Sequence, residues 1–168
     1  MIILLNGTSS VGKSTLAKAI LAASNKPFLY HASDHILNFW LDSKFFTLYD
    51  NKSHLTLQQQ QWYARHRRFD NNGKAMVTLD NGSKAINLYR DLWQAAGVLI
   101  AKGYDMVIDE VIISKEQLNW LLEYLQSSKV MLVKVVCQEQ ECLKRERERG
   151  DRYVGLANGL MSQVEKVV

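Results

Sequence analysis

Residues 2–15, "IILLNGTSSVGKST", decide the fold. Four apolar side chains in a row, Ile2 to Leu5, suit a strand covered on both faces. Beyond them, Leu16, Ala19, Ile20 and Ala23 recur at helical spacing. Between strand and helix lies Gly7-x-x-x-x-Gly12-Lys13-Ser14, the spacing of a phosphate-binding loop, and only a strand-to-helix setting gives that motif its meaning. Glycines let the backbone wrap closely, so that amide N–H groups converge on phosphate oxygens. The helix that follows adds the positive end of its dipole. Gly7, Thr8, Ser9, Ser10, Val11, Gly12, Lys13, Ser14 and Thr15 are therefore expected to hold a nucleotide's phosphates. Lys13 would reach the β- and γ-phosphates, and the Ser14 hydroxyl would ligate Mg²⁺.

Outward from this loop, the apolar runs "DMVIDEVII" (105–113) and "KVMLVKVVC" (129–137) read as buried strands, and a shorter one is expected around "PFLYHAS". Helical patterns separate them. The order predicts an α/β fold of three layers, α/β/α, around a parallel sheet, in one domain spanning 1–168. The longest helix should run through "SKAINLYRDLWQAAGVLIAKG", with Ile86, Tyr89, Trp93, Ala96 and Ile100 on its inner face and Gly103 as its stop. Ser114-Lys115-Glu116-Gln117 has the form of a capping box. "FDNNGKAMVTLDNGS" (69–83), with Asn-Gly twice, predicts an inserted β-hairpin.

Composition narrows the partners. The 168 residues are 47% hydrophobic and 23% charged, with a net charge of +4. That mild excess suits anionic small ligands and does not call for nucleic acid. No apolar run is long enough to cross a bilayer, and "MIILL" lacks the basic start and length of a signal peptide. A cytoplasmic location is expected. Cys137 and Cys142 read as a structural thiol pair, since no Cys/His cluster accompanies them.

Three segments carry candidate chemistry. Asp109 closes "MVID", and a carboxylate at the carboxyl end of a parallel strand faces the crevice where ligands bind. There it could share Mg²⁺ with Ser14. Glu110 should point to the opposite face. Asp34, in "YHASDHILNFW", is placed either to accept a proton from an attacking hydroxyl or to cap a helix, and spacing alone leaves both open. "LKRERERGDR" (143–152) reads either as a solvated helix end or as an Arg-rich lid closing over phosphates, with Gly150-Asp151 as hinge. A basic cluster, "RHRR" (65–68), follows Trp62 and Tyr63 and is expected at the edge of an acceptor pocket.

The chain resembles the chloramphenicol phosphotransferase-like proteins, a branch of the P-loop kinases. The resemblance rests on "IILLNGTSSVGKST", "SDHI", "VIDEV" and, most selectively, "RERERGDRYVGLA". It implies ATP at the loop with Lys13 and Ser14 serving ATP and Mg²⁺, Asp34 as catalytic base, and Arg145, Arg149 and Arg152 as lid arginines. Arg147 matches no family arginine. The family's chain continues past the position of Val168 into another strand and a final helix, and an edge strand lost there would be expected to expose the sheet. Residues 40–70 follow a pattern of their own, so chloramphenicol does not carry over as acceptor.

The expected activity is transfer of the γ-phosphoryl group of ATP to a hydroxyl of a small organic acceptor. A switch GTPase is excluded by the lack of Asn-Lys-x-Asp. Two other classes stay open: a polynucleotide-directed kinase, suggested by "WYARHRR", and a nucleotide-binding protein without catalysis.

Overall fold

The computed structural model describes residues 1–125, 129–150 and 153–167. Its first half runs β1 (Ile2–Asn6), α1 (Lys13–Ala23), β2 (Phe28–Ala32), α2 (Ser33–Trp40), β3 (Phe46–Tyr49), β4 (Tyr63–Phe69) and β5 (Ala75–Leu79). The second half runs α3 (Ser83–Ala101), β6 (Asp105–Glu110), α4 (Lys115–Tyr124), β7 (Val130–Lys134), α5 (Glu139–Arg149) and α6 (Leu156–Val164).

Four strands form a parallel sheet in the order β2-β6-β1-β7. Alternation along the central strands sorts the core into two faces. Ile2, Leu4, Met106 and Ile108 pack with Trp93, Ala96 and Ile100 of α3 and Leu121 of α4. Ile3, Leu5 and Val107 pack with Ala17 of α1 on the other side. The expected three layers are present. In α1, Leu16 and Ile20 pack against this second face beside the buried Lys13 and Ala17, while Ala19 and Ala23 are exposed. In α3, Trp93, Ala96 and Ile100 are buried as expected, Tyr89 is half-buried, and Ile86 is exposed. Gly103, at φ 91°, follows the end of α3 as its stop.

Two strands stop short of their apolar runs. β6 ends at Glu110 because the Asn6 side chain takes over the next backbone, accepting from Ile112 N at 2.9 Å and donating to Ile112 O at 3.4 Å. β7 ends at Lys134, with one more ladder bond from Val135 N to Asn6 O at 2.7 Å.

The inserted hairpin exists but differs from expectation. Its strands are β4 and β5, and its turn uses only the first Asn-Gly: Asp70 Oδ1 accepts from the amides of Asn72 and Lys74. Gly82 of the second Asn-Gly is the N-cap of α3. "RHRR" is thus the middle of a strand. A third strand, β3, joins β4 in parallel and completes a second sheet, β3-β4-β5, drawn from the segment whose aromatic pattern gave no strand prediction. The helix α6 lies on β5 through Val77, Leu156 and Leu160.

Candidate active site

The carboxyl ends of β1, β2 and β6 open into a cleft of about 1610 Å³. The phosphate-loop residues line one end of it, and α2, the small sheet and α6 line the other.

The loop between β1 and α1 is shaped by close approach. A Cβ on Gly7 would lie 2.6 Å from the carbonyl oxygen of Val135, so a side chain there would push the loop off β7. Gly12, at φ 108°, occupies the left-handed region that side chains avoid, and it is the N-cap of α1. Ser10 sits at φ 60°, and its buried Oγ makes no hydrogen bond among the described residues. Thr8 Oγ1 donates to Ala157 O at 2.9 Å, tying the loop to α6. Lys13 Nζ donates to the carbonyls of Gly7 and Thr8, each at 3.0 Å, and lies 3.8 Å from Asp109 Oδ1. Val11 is buried against Cys142, and Ser9, Ser14 and Thr15 line the cleft.

Asp109 stands at the centre of this end. Its Oδ2 accepts from Ser14 Oγ at 2.6 Å and from Tyr30 OH at 3.0 Å. Burial and the Asp109 carboxylate together hold the Tyr30 phenol well above its usual range, so Tyr30 stays a donor. The hydroxyl and carboxylate oxygens of Ser14 and Asp109 form the small, hard donor set that Mg²⁺ takes when water and phosphate oxygens complete its shell. No group of three or more His, Cys, Asp or Glu residues suited to a metal occurs among the described residues. The site therefore suits a metal shared with phosphates and not an all-protein cage.

Asp34 lies in the first turn of α2, lines the cleft, and accepts from His35 N at 2.9 Å. It is not the helix N-cap, a position held by Ala32. The structure thus brings Asp34, Lys13, Ser14 and Asp109 around one space.

Of the two readings of the arginine segment, the described residues form a helix end. Arg145 and Arg149 belong to α5 itself and line the cleft, while Gly150, at φ 68°, ends that helix. Arg145 donates to Glu141 Oε1 at 2.9 Å and to Val11 O at 3.4 Å, which sets it against the phosphate loop. Arg147 is exposed. Arg152 lies outside the described residues. Cys137 and Cys142 are free thiols packed beside Val11 and Ala157, and burial pushes Cys142 up to about 11.

The "RHRR" side chains are engaged within the small sheet. Arg67 pairs with Asp50 at 2.7 and 2.8 Å, His66 stacks on Tyr49, and Arg65 lies 5.6 Å from the ring centroids of both Phe46 and Tyr153. Of the four residues in this cluster, Arg65 alone lines the cleft.

Glu110 was expected to point away from Asp109, and it does: it meets Tyr89 of α3 while Asp109 meets Ser14 of α1. Both nonetheless line the cleft, because at the end of a strand both faces open onto the crevice. Burial pushes Glu110 up to about 7. Tyr89 and Gln117 were likewise missed as cleft residues. The one available signal was the adjacent carboxylate pair in "VIDEV".

A family model described as "Chloramphenicol phosphotransferase-like protein" matches residues 1–168. The chain belongs to that family. Two Mycobacterium tuberculosis relatives, from strains CDC 1551 / Oshkosh and ATCC 25618 / H37Rv, carry the name "Putative O-phosphotransferase". Each is 27% identical over 158 residues, covering 94% of this chain and 67% of its own. Among solved structures, a gluconokinase from Sinorhizobium meliloti 1021 superposes with a TM-score of 0.52 at 16% identity, covering 99% of this chain and 74% of that one. A "putative kinase" from Chloroflexus aurantiacus superposes at 0.56 with 14% identity, covering 99% and 76%. At such identities the structural likeness shows the fold, which is that of the P-loop kinases. With the family, it marks the chain as a phosphotransferase with a nucleotide-binding loop. No helix among the described residues is long and apolar enough to cross a membrane.

Proposed function

We propose that the protein moves the γ-phosphoryl group of ATP to a hydroxyl of a small organic acceptor, with Asp34 as general base. The observation that carries this reading is that Asp34 and the phosphate loop line the same cleft from two different strand ends. The loop amides and Lys13 hold the phosphate chain. Asp34 takes the proton of the acceptor hydroxyl, whose oxygen attacks the γ-phosphorus, and ADP leaves with the bridging oxygen. Ser14 and Asp109 would hold Mg²⁺, which when bound offsets negative charge on the phosphoryl oxygens. Arg145 and Arg149 are placed to do the same from α5.

A small acceptor is supported by the small sheet. Its basic strand spends Arg67 and His66 on Asp50 and Tyr49, which leaves these two side chains less available to a polynucleotide.

The test is a screen with labelled ATP over hydroxyl-bearing metabolites and antibiotics, run beside Asp34→Asn and with an oligonucleotide arm. Transfer to a small acceptor is expected, falling about 10²- to 10⁴-fold in Asp34→Asn. Nucleotide affinity measured by calorimetry should survive. Normal turnover by Asp34→Asn would remove the base assignment. Stimulation by the oligonucleotide that vanishes at high salt would redirect the activity to nucleic acid.

A further inference from the structure

We propose that Glu110 is a positioning residue, its buried carboxylate supplying the N-terminal cap that α2 lacks and so fixing Asp34 at the cleft. The inference rests on the base role proposed above for Asp34.

The amides of a helix's first turn have no partner within the helix and must find acceptors elsewhere. Four helices begin at this cleft without a side-chain cap of their own: α1 at Gly12, α2 at Ala32, α3 at Gly82 and α6 at Gly155. Two of them import one. Glu146, 1% exposed, accepts from Gly155 N at 2.7 Å and Ala157 N at 2.8 Å at the start of α6. Glu110 Oε1 accepts from Ser33 N at 3.1 Å at the start of α2. α1, which follows the phosphate loop, receives no glutamate among the described residues. The positive ends of α2 and α6 are thus each met by a carboxylate, and that of α1 remains for phosphate.

Glu110 is itself held in place. Its Oε2 accepts from Tyr89 OH at 2.9 Å, and the Tyr89 oxygen accepts from Gln117 Nε2 at 2.9 Å. The Gln117 amide is fixed in turn, donating to Val111 O at 3.3 Å and accepting from Ile113 N at 3.0 Å. On the remaining side His31 Nε2 lies 3.9 Å from Glu110 Oε1 and 3.3 Å from Ser33 Oγ. One line of hydrogen bonds therefore runs from the start of α4 through α3 and β6 to the amide next to Asp34. Asp34 follows Ser33 directly, so the carboxylate that fixes Ser33 N fixes the turn that aims the base. A displacement of about 1 Å in a catalytic group costs on the order of 10²-fold in rate.

The test combines two readouts. Hydrogen–deuterium exchange at the amides of residues 33–37 should rise at least about tenfold in Glu110→Ala and return toward wild type in Glu110→Gln, which keeps an acceptor oxygen. Phosphate release from Mg-ATP to water, which needs no acceptor, should fall about 10- to 100-fold in Glu110→Ala with nucleotide affinity unchanged. Tyr89→Phe, which loosens the carboxylate without removing it, should give a smaller loss of the same kind and stands in if Glu110→Ala fails to fold. In the Asp34→Asn background Glu110→Ala should cost nothing further, since a positioning residue has nothing left to position. Full loss on top of Asp34→Asn, or an unchanged rate where Asp34→Asn alone collapses it, overturns the inference and leaves the base intact. If Asp34→Asn is itself active, the base reading fails, and equal exchange in Glu110→Ala and wild type then overturns the cap as well.

Discussion

The two ends of the cleft are built in opposite ways. The nucleotide end is built around one unbroken stretch, residues 7–15, whose course is set largely by its own glycines and by the strand and helix on either side. The other end is assembled from Asp34, Tyr63, Arg65, Ile86, Glu110 and Leu160, on five separate elements. A contiguous loop can be recognised from spacing, because local geometry suffices. An assembled pocket exists only once two sheets have met, and its chemistry is a property of the packing.

Substitutions at the two ends should separate them. Lys13→Ala should have the largest effect, lowering both nucleotide affinity and turnover, the latter by about 10²- to 10³-fold, as read by calorimetry and phosphate release. A loss confined to turnover would mean that Lys13 acts on the reaction and not on the bound phosphates, and the contrast would need redrawing. Gly159→Ala probes the far end. A Cβ there would lie 2.0 Å from Val77 O, so α6 must lift from β5. A loss of about 1–3 kcal/mol in denaturant unfolding is expected, with nucleotide affinity less affected than acceptor use.

A third effect is one of pH. Burial raises the Glu110 carboxyl in the folded chain to about 7, above its ordinary value, so the folded state holds this proton more tightly than the unfolded one. Its contribution is therefore most favourable at low pH and is lost as pH rises through about 7. Glu110→Gln should gain on wild type across that window, by about 3 kcal/mol at most, and the difference should level off above it. Thermal melts from pH 4.5 to 8 would show it. A constant difference would mean that Glu110 is held ionised throughout.

The legibility of the sequence follows the same division. The central strands declared themselves because parallel strands covered on both faces must be apolar throughout, as Ile2–Leu5 and Met106–Ile108 are. Asp109 was legible because a strand's carboxyl end is a fixed address in such sheets. The small sheet was only half visible. The turn at Asp70–Lys74 announced itself, whereas β3 did not, since Phe46 and Tyr49 are covered by the Tyr63 and His66 rings of β4, which only the folded sheet brings alongside. The capping box at Ser114 was half right: Ser114 Oγ accepts from Gln117 N at 3.1 Å, but the Gln117 side chain reaches Ile113 N instead of returning to Ser114. Ile86 misled for a simple reason. Helical period cannot tell a core from the wall of a cleft.

The glycines of α6 have a mechanical consequence. Gly155 and Gly159 bring this helix so close that added Cβ atoms would meet the carbonyl oxygens of Ala75 and Val77 at 2.6 and 2.0 Å, and Val77 N donates to Gly155 O at 2.8 Å. Backbone rests on backbone there, with no side chains between to act as a cushion. Helix and strand meet main chain to main chain, and the helix touches the phosphate loop through Thr8 and Ala157. The phosphate loop is thus joined to the hairpin by a short run of contacts, Thr8 to Ala157 and α6 to β5.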